Sequence, residues 1–97
     1  MNTYQITAKP KEGVMGGTWV DGHINGLRFQ AKIYETGSRF GINEGRVSKL
    51  AVWDESNRHL GDLLSYDRGW DKQPADDYQR KLLQALLEYL EGIDQDA

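Results

Sequence analysis

The sequence predicts an α+β fold: an antiparallel sheet of four or five strands with one C-terminal amphipathic helix packed on one face. Three observations predict it. In 27-LRFQAKI-33, Leu27, Phe29, Ala31 and Ile33 alternate with Arg28, Gln30 and Lys32, which is the period-two pattern of a half-buried strand. Just ahead stands Asn25-Gly26, the dipeptide a tight hairpin prefers because both central residues can take positive φ. Near the other end Tyr78, Leu82, Leu86, Tyr89, Leu90 and Ile93 recur at helical spacing, with Leu83 and Leu87 widening the stripe.

Each element can be justified in chain order. Residues 1–17 end in a Gly pair after Lys-Pro-Lys-Glu-Gly and read as an N-terminal arm or a weak strand, the strand option resting on alternating Tyr4, Ile6 and Ala8. An antiparallel meander over 18–67 follows. Its first hairpin is 18-TWVDGHINGLRFQAKIYE-35. The segment 36-TGSRFGINEGR-46, with glycines at 37, 41 and 45, reads as a flexible connection. Two further strand-like runs, 46–55 and 60–67, are joined by the turn formers of 54-DESNRH-59. The helix is expected over 75–92, opened by Asp76 and Asp77, with Gln79 completing a capping-box spacing, and stopped at Gly92.

The 97 residues make one domain, 1–97, because a chain this short has surface for a single core. Lys plus Arg number 12 against 15 Asp plus Glu, a net charge of -3. That balance is too mild for an acidic DNA mimic and of the wrong sign for binding nucleic acid by bulk electrostatics. There is no cysteine, which excludes disulfides and thiolate chemistry and fits a reducing compartment. With no signal-peptide pattern and no apolar run of membrane length, the expectation is a cytoplasmic protein that does not enter membranes.

No catalytic residue is expected. His23 and His59 fall in a hairpin and a turn, outside any nucleophile or metalloprotease context. No metal site or cofactor is expected either, because Asp62, Asp67, Asp71, Asp76 and Asp77 lack the spacing of a calcium loop. The glycine segment is no P-loop, since Arg46-Val47 follow its last Gly where Lys and Ser or Thr would be required.

The densest stretch is 66-YDRGWD-71, which has two readings. In the structural one, Gly69 makes a sharp exit from the last strand, Arg68 lies over Trp70 and pairs with Asp67 or Asp71, and Trp70 closes the end of the core. In the functional one, Arg39, Arg46, Tyr66, Arg68 and Trp70 surround a pocket where a ring stacks on an aromatic and a phosphate meets guanidinium groups. Trp19, Tyr34, Trp53, Tyr66 and Trp70 also outnumber what one helix can cover. A homodimer through the uncovered sheet face is therefore expected.

Taken with 38-SRFGINEGRVSKL-50, the YDRGWD segment resembles the signature of a family of small uncharacterised phage and prophage proteins, the likeness running from about Thr18 to Pro74. What the resemblance implies is a setting rather than a chemistry. Small phage-borne proteins without catalytic motifs often act against host defence. The implied role is a non-enzymatic, anti-CRISPR-like inhibitor that occludes a host immune complex, or a protein that sequesters a nucleotide signal. The alternative is a single-stranded nucleic-acid-binding accessory protein. A further likeness, to single-strand-binding transcription cofactors of four strands and a helix, is opposed by the acidic balance and by the expected lack of a Lys/Arg-rich sheet face.

Overall fold

The structure, a computed structural model, describes residues 5–12 and 17–93. Tyr4 and the residues between the first two strands, 13–16, lie outside that range, as do 94–97. Six strands run in chain order across one antiparallel sheet: β1 (Ile6–Glu12), β2 (Thr18–Ile24), β3 (Leu27–Ile33), β4 (Val47–Trp53), β5 (Asp62–Asp67) and β6 (Trp70–Lys72). A single helix, α1 (Asp77–Glu91), follows. The class and the meander are as expected, but four or five strands understates the sheet. β1 is the weak strand expected as an option within 1–17, so the strand beyond the expected count is β6, and both are edge strands. β1 carries Pro10, which an edge position tolerates because only one side of the strand must pair. β6 is three residues long and exists because Tyr66 pairs with Trp70 across a tight turn, so the chain makes one more hairpin before the helix.

The β2–β3 turn has Asn25 at φ 49° and Gly26 at φ 81°, the double positive φ that the dipeptide foretold. In register, Val20, Ala31, Leu50 and Tyr66 form one inward row, and Gly22, Phe29, Val52 and Leu64 the next. Leu82, Leu86 and Leu90 of α1 close over them, all buried. Gly22 has a specific reason to be glycine: a β-carbon there would run into the Thr7 carbonyl and Ala8, so the bare backbone lets β1 sit close. At the helix start the Asp76 carboxylate accepts the Gln79 N–H at 2.8 Å, while the Gln79 side chain accepts the Ala75 N–H at 2.8 Å. Two orphan donors are thereby satisfied.

The glycine segment is not a flexible connection. Tyr34 N–H donates to the Arg46 carbonyl at 3.0 Å and Ser38 N–H to that of Gly45 at 3.2 Å, and a short 3-10 turn, Ile42–Glu44, buries Ile42. A β-carbon on Gly41 would collide with the Gly45 carbonyl. Close approach of backbone to backbone, rather than mobility, explains that pair.

Candidate functional site

The face of the sheet away from α1 is where the chemistry gathers. Register places Trp19, Lys32, Lys49 and Asp67 side by side on β2 to β5, and four residues further along, or five on β5 where the register shifts, His23, Arg28, Trp53 and Asp62. This face is not rich in Lys and Arg overall, since Arg28, Lys32 and Lys49 share it with Asp21, Asp62 and Asp67, but the cations are not evenly matched. Its two ends differ in how those cations are neutralised.

At one end every cation has an acid. Arg28 bonds Asp21 and Glu55, each at 3.2 Å, and these carboxylates raise its pKa further. His23 stands 3.6 Å from Glu55, and Arg58 is 3.4 Å from Asp62 with its guanidinium 4.5 Å from the centre of the Trp53 ring. The turn that holds Glu55 and Arg58 is fixed by Asp54. Its carboxylate accepts from the Asn57 amide and the Ser56 N–H, which hold it below the usual carboxylate range.

At the other end charge is left over. Lys32 and Lys49 are direct cross-strand partners, a like-charge placement that destabilises a sheet. Lys49 has Asp67 at 3.8 Å. Lys32 has no carboxylate among the described residues and lies instead 5.8 Å from the Trp19 ring and 5.5 Å from the Tyr34 ring. Arg68 completes the group. It sits at the tip of the β5–β6 hairpin, its N–H donating to the Ser48 carbonyl at 3.0 Å. These three cations line one pocket of about 430 Å³ together with Tyr34, Thr36, Gly37, Ser38, Phe40 and Ser48. No acidic side chain lines it.

The five residues expected to bind have separate fates. Arg68 lines the pocket; Arg39 does not, and reaches it only through Phe40, with the guanidinium 5.0 Å from that ring's centre. Arg46 points elsewhere: its Nε donates to the Tyr34 carbonyl and its Nη1 to the Glu91 carbonyl, both at 2.7 Å. Tyr66 is 7 % exposed, its hydroxyl donating to the Phe40 carbonyl at 2.7 Å. Trp70 meets Tyr66 edge to face at 5.1 Å and packs against the core. Tyr34 stood among the surplus aromatics, and sequence reasoning missed Lys32, Lys49, Phe40, Ser38 and Ser48. Their only local signal was a polar position in an alternating strand or a place within the glycine segment.

Two details of the YDRGWD reading need correction. The left-handed residue of the hairpin is Arg68, at φ 60°, and not Gly69, whose absent β-carbon would have met nothing within 4 Å. The Arg68 guanidinium is 6.0 Å from the Phe40 ring rather than over Trp70, and it makes no ion pair among the described residues. A non-glycine residue in this conformation costs about 1 to 2 kcal/mol, of which glycine's extra freedom in the unfolded chain gives back about 0.5 to 1. Arg68→Gly is therefore expected to stabilise the fold by about 0.5 to 1 kcal/mol, read as a rise of about 4 °C in Tm. A lower Tm would show that the arginine side chain contributes more to the fold than its backbone costs.

Among the described residues no three His, Cys, Asp or Glu side chains gather as a metal set, and no helix is long and apolar enough to cross a membrane. A family model described as "Domain of unknown function (DUF7678)" matches residues 18–91, which contain every residue lining the pocket. No curated protein and no solved structure matches the chain.

Proposed function

We propose that this chain, which belongs to the DUF7678 family, is a non-enzymatic binding protein whose basic pocket sequesters a nucleotide. The observation that carries the reading is the convergence of three unfavourable placements on one cavity. Lys32 faces Lys49 across the strands, Arg68 holds a left-handed backbone, and no acid lines the space between them. A bound phosphate offsets the first through charge-assisted hydrogen bonds and gives the second a use. Tyr34 and Phe40 supply rings, and Ser38, Thr36 and Ser48 supply hydroxyls, in a volume suited to a small ligand.

The paired end of the sheet face argues for a compact ligand over a strand. A phosphodiester chain continuing past Lys32 would meet Asp21, Glu55 and Asp62, each already engaged with an arginine. The phage setting, with capture of a host nucleotide signal in the cytoplasm, rests on the GRVSKL and YDRGWD resemblance. Occlusion of a host defence protein is the competing form of the same role. Self-association remains part of the proposal, measured by sedimentation velocity.

A thermal-shift screen against linear and cyclic nucleotides tests the pocket. At least one is expected to raise Tm, and Lys49→Ala or Arg68→Ala to weaken it by about tenfold or more, since a hydrogen bond to a charged group contributes about 1.5 to 3 kcal/mol. Both variants should melt close to the parent. No shift at millimolar nucleotide would overturn the proposal. Tight binding of a single-stranded oligonucleotide with a steep salt dependence would favour the nucleic-acid alternative instead.

A further inference from the structure

Phe40 is an expensive residue to place where it is. Its ring is 45 % exposed, so folding gains little from it, yet the backbone that carries it is pinned on both sides. The buried Tyr66 donates its hydroxyl to the Phe40 carbonyl at 2.7 Å, Phe40 N–H donates to the Ser38 hydroxyl at 3.2 Å, and Gly41 N–H donates to the Ser38 carbonyl at 3.0 Å. The close packing of Gly41 on Gly45 removes what freedom is left. A rigidly held, half-exposed aromatic at the rim of a basic pocket has the properties of a stacking platform. Two guanidinium groups already use it as one: Arg39 lies 5.0 Å and Arg68 6.0 Å from its centre.

We propose that Phe40 is the residue that recognises the base of the bound nucleotide, with Arg39 and Arg68 covering the ring until the base displaces one of them. The inference rests on the pocket reading above and names the part of the ligand that reading leaves open. A planar base exchanges for a planar guanidinium on the same ring, and the displaced arginine is left beside the phosphate that Lys32 and Lys49 attract. Neither partner is lost in the exchange. A sugar phosphate or inorganic phosphate lacks the planar group and gains only the charged half of the site. The pocket should therefore discriminate by base stacking.

Isothermal titration with adenosine, guanosine, cytidine and uridine monophosphates, against ribose 5-phosphate, tests this on the full chain. The parent is expected to bind at least one nucleotide about tenfold or more tighter than ribose 5-phosphate, the margin base–aromatic stacking supplies. Phe40→Leu should erase that margin, so that the variant binds nucleotide no tighter than it binds ribose 5-phosphate, and Phe40→Trp should preserve it. The ring is exposed and its anchoring bonds come from the backbone, so both variants should fold. A parent that does not discriminate, or a margin that survives Phe40→Leu, overturns the role of Phe40 while the pocket stands. Binding of neither class of probe overturns the pocket, and this inference with it.

Discussion

Phe29→Ala is expected to cost the fold about 3 to 5 kcal/mol, the range for removing a fully buried aromatic ring from a packed core. Phe29 is fully buried at the centre of β3, in register with Gly22 on one side and Val52 on the other, in the core cluster that includes the leucines of α1. The backbone on either side is held by sheet hydrogen bonds, and Gly22 has no side chain to swing in. A domain of this size has about 5 to 15 kcal/mol in total, so the variant loses about a fifth of its stability or more. Urea unfolding should show the midpoint falling with the slope unchanged, and thermal unfolding a drop of about 15 to 30 °C. Phe29→Leu, which keeps most of the volume, should recover most of the loss. A cost below about 1 kcal/mol for the alanine variant would mean that the sheet and helix are not packed as described.

Phe29 was legible in the sequence for the reason that makes it central. A strand with one buried face writes that face into every second residue, and 27-LRFQAKI-33 does so without a break. The Asn25-Gly26 turn and the Asp76–Gln79 cap were legible because their requirements are local: a backbone angle in one case, an orphan N–H in the other. Of the two edge strands only one left a signal. β1 alternates Ile6 and Ala8 at its start, enough for a weak strand, but spends its middle on Lys9-Pro10-Lys11, where neither composition nor alternation marks it. β6 is too short for a period, and its hairpin tip is occupied by Arg68 where a glycine would have announced it.

The pocket was half legible for a related reason. Arg39 and Arg68 belong to segments dense enough in unusual residues to draw notice, and both reach Phe40. Lys32 and Lys49 are ordinary outward positions of two strands. What makes them a site is the register that sets them opposite each other, and that register is fixed by the folded segment between β3 and β4. The glycines of that segment were read as mobility because glycine permits it. Their actual use, close approach to each other's backbone, depends on contacts that no local pattern displays.

Arg46→Ala should separate structure from site most sharply, with an expected loss of about 2 to 4 kcal/mol from two charge-assisted hydrogen bonds to backbone carbonyls. One ends on Tyr34, where β3 runs out, and the other on Glu91 at the end of α1. The last turn of α1 has no basic residue of its own, so Arg46 supplies from the loop the cation that the negative end of a helix favours. Its own N–H donates to the Glu91 carboxylate at 2.8 Å, a bond the alanine variant can keep. The loss therefore falls on the guanidinium alone. Arg46→Lys should recover only part of it, because one ammonium cannot present two donors in the planar fork that reaches both carbonyls. Arg68→Ala, made in parallel, should change stability by no more than about 1 kcal/mol, because among the described residues its side chain has only a cation–π contact with an exposed ring. Urea melts of the three variants, read beside nucleotide titrations, give the decisive pattern. Binding should fail in Arg68→Ala with the fold intact, and in Arg46→Ala only as far as the fold fails. An Arg46→Ala protein that melts with the parent and loses binding would return Arg46 to the site and remove the staple between loop and helix from this account.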